Sequence, residues 1–114
     1  MNYNKITLVG RLTADCEHKV LPSGTNLCRF RMAVNDRVSD KTLFIGATVF
    51  GAAAEKLNSK LLKGVSVLID GRLEMDTIAG QDGKNRDFYG VIVDKLEINY
   101  ADSEALKTQV PAKT

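Results

Sequence analysis

The sequence predicts an all-β fold: a small barrel of five strands with one helix between the third and the fourth. Three observations predict it. Residues 42–50, Thr-Leu-Phe-Ile-Gly-Ala-Thr-Val-Phe, alternate between an aliphatic set and a polar or aromatic one, as a half-buried strand does. Residues 51–64 carry a helical pattern that ends at Gly64, a residue suited to a helix stop. Residues 65–75 return to strict alternation.

Composition sets the bounds. The chain has 114 residues and is 44% hydrophobic, enough for one domain with one small core. Its formal charge of +2 argues against a massively basic binder of duplexes and leaves room for a local basic groove. The longest apolar run falls short of the ~18 residues of a membrane span. Met1-Asn-Tyr-Asn-Lys5 lacks the apolar core of a signal peptide, so a cytoplasmic protein is expected. Cys16 and Cys28 form no CxxC pair and read as reduced, small packing residues.

The first strand covers about residues 3–12. Ile6, Leu8 and Leu12 share a face with Gly10, whose place inside a strand marks a bend or a close backbone approach. Residues 13–21 are ambiguous and can continue as a bent strand through Glu17-His-Lys-Val20; Pro22-Ser-Gly-Thr25 is a turn. In the second strand, residues 27–35, Phe30, Met32 and Val34 form the buried set, and Arg29 and Arg31 lie on the wet face. A short polar link, residues 36–41, makes the second and third strands antiparallel neighbours. Arg29 and Arg31 then share a sheet face with Phe44, Thr48 and Phe50.

The helix is predicted over residues 52–62, with Ala53, Leu57 and Leu61 as its apolar stripe. In the fourth strand, residues 65–75, Val67, Ile69, Gly71, Leu73 and Met75 face one way; Asp70, Arg72, Glu74 and Asp76 face the other. Residues 79–84 are a hairpin turn leading to a fifth strand at 88–98. There the apolar residues switch parity between Val93 and Leu96, which predicts a bulge. Residues 101–114 are polar and read as a flexible tail, so the domain covers 1–100. The triplet Gly-Arg-Leu occurs twice, at 10–12 and 71–73.

A helix between the third and fourth strands of an all-β chain is the order of the OB-fold barrel, which binds oligonucleotides on the outer face of its second and third strands. Binding a single strand takes cations for phosphates and flat side chains for exposed base faces. Arg29, Arg31, Phe44, Thr48 and Phe50 supply both on adjacent strands. Arg72 adds a cation on the fourth strand, and Lys84 and Arg86 stand at the last hairpin. No catalytic group stands out: His18 lies in an irregular polar stretch, and no serine sits in a nucleophile elbow. Asp70 and Glu74, four strand residues apart, are roughly 13 Å from each other, too far to share a metal ion.

The residues also resemble the bacterial and phage single-stranded DNA-binding protein family. Asn4-Lys-Ile-Thr-Leu-Val-Gly-Arg-Leu12 is similar to its opening strand. Pro22-Ser-Gly24, Phe30-Arg-Met-Ala-Val-Asn35, Val49-Phe-Gly51, Leu62-Lys-Gly64, Ile69-Asp-Gly-Arg-Leu73 and Asp82-Gly83 follow in the family's order. The resemblance spans about residues 1–100. It implies an OB-fold subunit, a homotetramer, that coats single-stranded DNA without sequence preference in replication, recombination and repair. It implies no cofactor, no enzymatic activity and a place at the nucleoid.

Carried over by position, Phe44 matches a stacking aromatic and Phe50 a second base-contacting one. Two further stacking positions fall on Val38 and Ile78, aliphatic here. Glu74 and Asp76 stand where bacterial members often carry basic residues. Val110-Pro-Ala-Lys-Thr114 has no counterpart to the family's acidic, aromatic-tipped peptide, so recruitment of partner enzymes through such a tip is not expected. Two rivals remain at this stage: an OB-fold accessory of a primosome or mobile element that acts through protein contacts, and a small nuclease.

Overall fold

The alternation read in residues 26–50 becomes the centre of the sheet. The computed structural model describes residues 1–100; the flexible tail expected at 101–114 lies outside the described residues. Its elements are β1 (Ile6–Leu12), β2 (Glu17–Val20), β3 (Asn26–Asn35), β4 (Thr42–Phe50), α1 (Ala52–Leu57), β5 (Ser66–Ala79) and β6 (Asn85–Ile98). β3 and β4 pair antiparallel along nearly their whole length, from Leu27 opposite Phe50 to Asn35 opposite Thr42.

The expected five-stranded barrel with its helix between strands three and four is corrected. The strands form one six-stranded mixed sheet in the order β1-β5-β6-β4-β3-β2. The helix lies between the fourth and fifth strands. The additional strand is β2, whose four residues are all exposed. It exists because its backbone pairs with Asn26–Arg29 at the sheet's edge. Backbone pairing leaves no apolar alternation to read. The sheet is mixed because β4 and β6 run parallel through Gly46–Thr48 and Gly90–Ile92. β1 turns back far enough for Arg11 and Leu12 to pair with Ala33 and Met32. Among the described residues, Ile6 to Gly10 pair with β5 alone, so the ring of strands stays open there.

The repeated Gly-Arg-Leu triplet has a shared structural cause. A Cβ on Gly10 would lie 2.3 Å from the Ala33 carbonyl oxygen, and one on Gly71 would lie 2.0 Å from that of Ile92. Each glycine lets another strand's backbone pass where no side chain fits. At Gly71 the register also shifts: Gly71 opposes Val93 and Asp70 opposes Lys95, skipping Asp94. This is the bulge that the parity switch predicted.

The core comprises Leu12, Cys28, Phe30, Met32, Ile45, Ala47, Val49, Val65, Val67, Ile69 and Val91, closed by Ala54 and Leu61 from the helical segment. The helix is shorter than expected, and its buried residue is Ala54, not Ala53. Asn58 ends it by turning its side-chain amide back onto the carbonyls of Ala54 and Glu55, an alternative partner that asparagine offers helix ends. The chain leaves as turns, and Leu61 still reaches the core. Both cysteines sit against this end, Cys28 Sγ donating to Ala54 O at 3.2 Å and Cys16 Sγ to Asn58 O at 3.3 Å. Burial, and next the nearby Cys16, pushes the Cys28 thiol up to about 12.

β5 and β6 are each 14 residues long. Their paired outer parts, Met75–Ala79 with Asn85–Tyr89, extend past the core as a two-stranded ribbon of exposed residues. Leu73 and Met75, which share a strand parity with the buried Val67 and Ile69, are therefore 37% and 50% exposed.

Candidate functional site

Register decides which side chains share the outer face, because residues directly opposite in a sheet point the same way. Arg31 opposes Gly46, Gly46 opposes Gly90, and Gly90 opposes Glu74. This row runs Arg31-Gly46-Gly90-Glu74 across four strands. The row beside it runs Arg29-Thr48-Ile92-Arg72. Farther along β6, Phe88 opposes Asp76 and Arg86 opposes Ile78.

These rows form an open groove of about 580 Å³ whose lining includes Arg29, Arg31, Thr48, Phe50, Glu74 and Phe88. Its floor at the centre is Gly46 and Gly90. Neither has the positive φ that demands glycine. A Cβ on Gly46 would meet nothing closer than 3.9 Å, and one on Gly90 nothing closer than 3.4 Å. Backbone geometry thus tolerates a side chain at both positions; what glycine keeps is free space above the sheet. A second hollow of about 400 Å³ continues toward the ribbon tip and shares Ile78 and Phe88 with the groove.

The residues expected to bind are not all brought together. Arg29, Arg31, Thr48 and Phe50 line the groove. Phe50 is 45% exposed, and Leu27, its cross-strand neighbour, is buried. Phe44 lies outside the groove's lining, 53% exposed, with the Arg31 guanidinium 5.9 Å from its ring centre. That contact spreads the ring and the cation as one surface beside the groove. Arg72 is exposed at the end of its row. Arg86 lines the tip hollow, where it forms a salt bridge to Asp82 at 3.3 Å. Lys84 is exposed in the tip turn. Val38 stands at the tip of the β3–β4 loop, away from the groove, and Ile78 lines it.

Phe88 is the aromatic that sequence reading missed. It is 53% exposed and faces the groove. Counting back through the turn at residues 80–84 would have placed it opposite Asp76, on the outward face. Tyr89, its neighbour, also borders the groove. His18, a surface residue, hydrogen-bonds Asn26 Oδ1 through Nε2 at 2.8 Å. Among the described residues no cluster of His, Cys, Asp or Glu could hold a metal ion. Nor is any helix among them long and apolar enough to cross a membrane.

Fold and groove together define a small β-sheet protein whose open outer face is walled by arginines, aromatics and two carboxylates and floored by glycine. Within that class, the chain belongs to the single-strand binding protein family, whose model matches residues 3–99. It is 37% identical over 103 residues to a single-stranded DNA-binding protein of Wolinella succinogenes, covering 84% of this chain and 64% of that one. A single-stranded DNA-binding protein of Helicobacter pylori is 37% identical over 102 residues, 83% of this chain and 57% of the relative. Single-stranded DNA-binding protein 1 of Staphylococcus aureus is 34% identical over 102 residues, 82% and 59%. The chain thus spans about three-fifths of the length of the curated relatives it matches.

Proposed function

We propose that this chain binds single-stranded DNA, without catalysis or cofactor, on the outer face of β3, β4, β6 and the ribbon. The observation that carries the reading is the groove itself. Arg29 and Arg31 offer phosphate partners, Phe50 and Phe88 offer stacking faces, and Gly46 and Gly90 leave the floor empty. The groove is open along its length, which suits a strand passing through rather than an enclosed small molecule. Family membership and the relatives' names support the same ligand. The finer reading is protection of single strands in replication, recombination and repair, in the cytoplasm at the nucleoid.

The experiment is a titration of a mixed-sequence oligonucleotide, single-stranded and as its duplex, followed by fluorescence anisotropy. Binding of the single strand at least tenfold tighter than the duplex is expected; equal binding overturns the proposal.

The same reading includes a homo-oligomer, with a tetramer as the expected form. What supports it is the edge of β1: among the described residues Ile6 to Gly10 pair on one side only, and Tyr3 and Val9 are exposed beside that edge. An unpaired edge is a template for another strand. Light scattering should give a multiple of 12.5 kDa at micromolar concentration, and the monomer mass throughout would refute it.

A further inference from the structure

Beyond its glycine pair the sheet splits. Among the described residues β4 and β6 pair only where Gly46–Thr48 run beside Gly90–Ile92, yet both strands begin earlier, β4 at Thr42 and β6 at Asn85. Over those earlier residues β4 stays with β3, and β6 stays with β5. Two two-stranded arms therefore fork from Gly46 and Gly90. Phe44 and Phe88 stand at matching places on the arms, each two residues before its glycine and on the same outer face. Both rings are 53% exposed. Among the described residues they make no contact with each other, and Arg31 lies over Phe44.

Building on the proposed binding of single strands, we infer that Phe44 and Phe88 are the two jaws of one clamp, which holds a single base between their rings. Size decides first. A base between two rings needs about 7–8 Å, twice the best separation of non-bonded carbons. Paired strands stand only ~4.8 Å apart, so a continuous sheet would leave no room. The end of pairing at Gly46 and Gly90 opens the mouth. The two glycines form its foot, where a side chain would stop a base from leaning in; a Cβ on Gly90 would already lie 3.4 Å from the Gly46 carbonyl oxygen. Charge around the mouth is mixed: Arg31 lies beside Phe44, Asp76 opposes Phe88, and Glu74 and Arg72 follow along β5. The grip therefore comes from the uncharged ring faces. Every base has two flat faces, so a clamp of this kind holds any of them.

The chain has no tryptophan, so one introduced at either jaw is a sole reporter. The Phe44→Trp and Phe88→Trp proteins are saturated with a mixed-sequence single strand, and the quench of tryptophan fluorescence by a stacked base is read. Each is then compared with the same protein carrying alanine at the other jaw, Phe88→Ala or Phe44→Ala. Because the quench is read at saturation, a change in affinity alone does not move it. One base held by both rings makes the two positions share a partner. Removing either jaw should then lower the other's saturating quench by about half or more, since a base on one ring is less firmly stacked than a base between two. Both positions are exposed, and the reciprocal pairs give two independent readings, so one poorly folded variant still leaves the other to decide. An unchanged quench means two bases stacked separately, and no quench means that neither ring is stacked. Either result overturns the clamp, and the proposed function stands if single strands still bind over duplex. If they do not, both fail.

Discussion

Phe30 and Phe44 lie on adjacent strands with opposite fates. Phe30 is 4% exposed and packs in the core, whereas Phe44 stands outside under the Arg31 guanidinium. Phe44→Ala should cost about 1–3 kcal/mol of single-strand affinity, the range for one stacked base, with little change in melting temperature. Phe30→Ala should cost about 3–5 kcal/mol of stability, and the fraction still folded should bind normally. A denaturant melt beside an anisotropy titration separates the two. If Phe44→Ala melts the protein and spares affinity, the binding face is misassigned. Gly46 gives the complementary test. Gly46→Val should fold as well as the parent or better, since valine suits strands and no atom lies within 3.9 Å of its Cβ position. Its methyl groups would fill the floor, and affinity should drop by about tenfold or more, a stacked base's contribution. Unchanged affinity would put the strand's path elsewhere.

Elements differ in how far their residues announce them. β3 and β4 were legible because burial on one face and water on the other leaves a period-two trace in Arg29-Phe30-Arg31-Met32 and Ile45-Gly46-Ala47. The bulge was legible from the switch between Val93 and Leu96. β2 was legible only as one alternative, a bent continuation through Glu17–Val20, because an exposed edge strand held by backbone pairing leaves no apolar alternation. The end of α1 was missed because it depends on one Asn58 side chain competing for carbonyls. Of the site, Arg29, Arg31, Thr48 and Phe50 could be read from strand alternation, whereas Phe88 needed the register of a hairpin whose length was underestimated. The β3–β4 loop carries a prediction of its own. Asp36 accepts hydrogen bonds from the Ser39 hydroxyl and from the backbone N–H groups of Val38 and Ser39. Ser39's hydroxyl first, then these N–H groups, hold its carboxyl below the ordinary 3.8. A depressed folded value means that this contribution is present above the ordinary value and is lost as pH falls through the folded one. An NMR titration should place Asp36 below 3.8 and show Ser39→Ala moving it upward; a midpoint unmoved by that change would remove the hydroxyl as cause.

For the molecule as a whole, net charge and local charge say different things. A formal charge of +2 gives little long-range attraction for a polyanion. Salt dependence should therefore report the groove and its surroundings. Arg29, Arg31, Arg72 and Lys84 carry no salt bridge among the described residues, and Arg86 is shared with Asp82 at 3.3 Å. About 3–5 phosphate contacts give a log–log slope of roughly −2 to −3.5, at about 0.7 per contact for single strands. A slope near zero would mean that phosphate is not the partner. A slope much steeper would require cations beyond these five.

The ribbon extends past the core, and its outer half touches little but itself. Its two strands are paired along their full length, yet Thr77, Ile78, Asp87 and Phe88 are all exposed and none belongs to the core. Such a segment opens locally, at a small fraction of the free energy that unfolds Phe30, Met32 and Ile69. In hydrogen exchange its amides should be lost early, while those of β3 and β4 wait for global unfolding. The part of the chain that carries Phe88 and Asp76 is thus uncoupled from the part that sets the melting temperature. On the proposed binding face, substitutions along the ribbon are expected to retune grip while the fold beneath them keeps its stability.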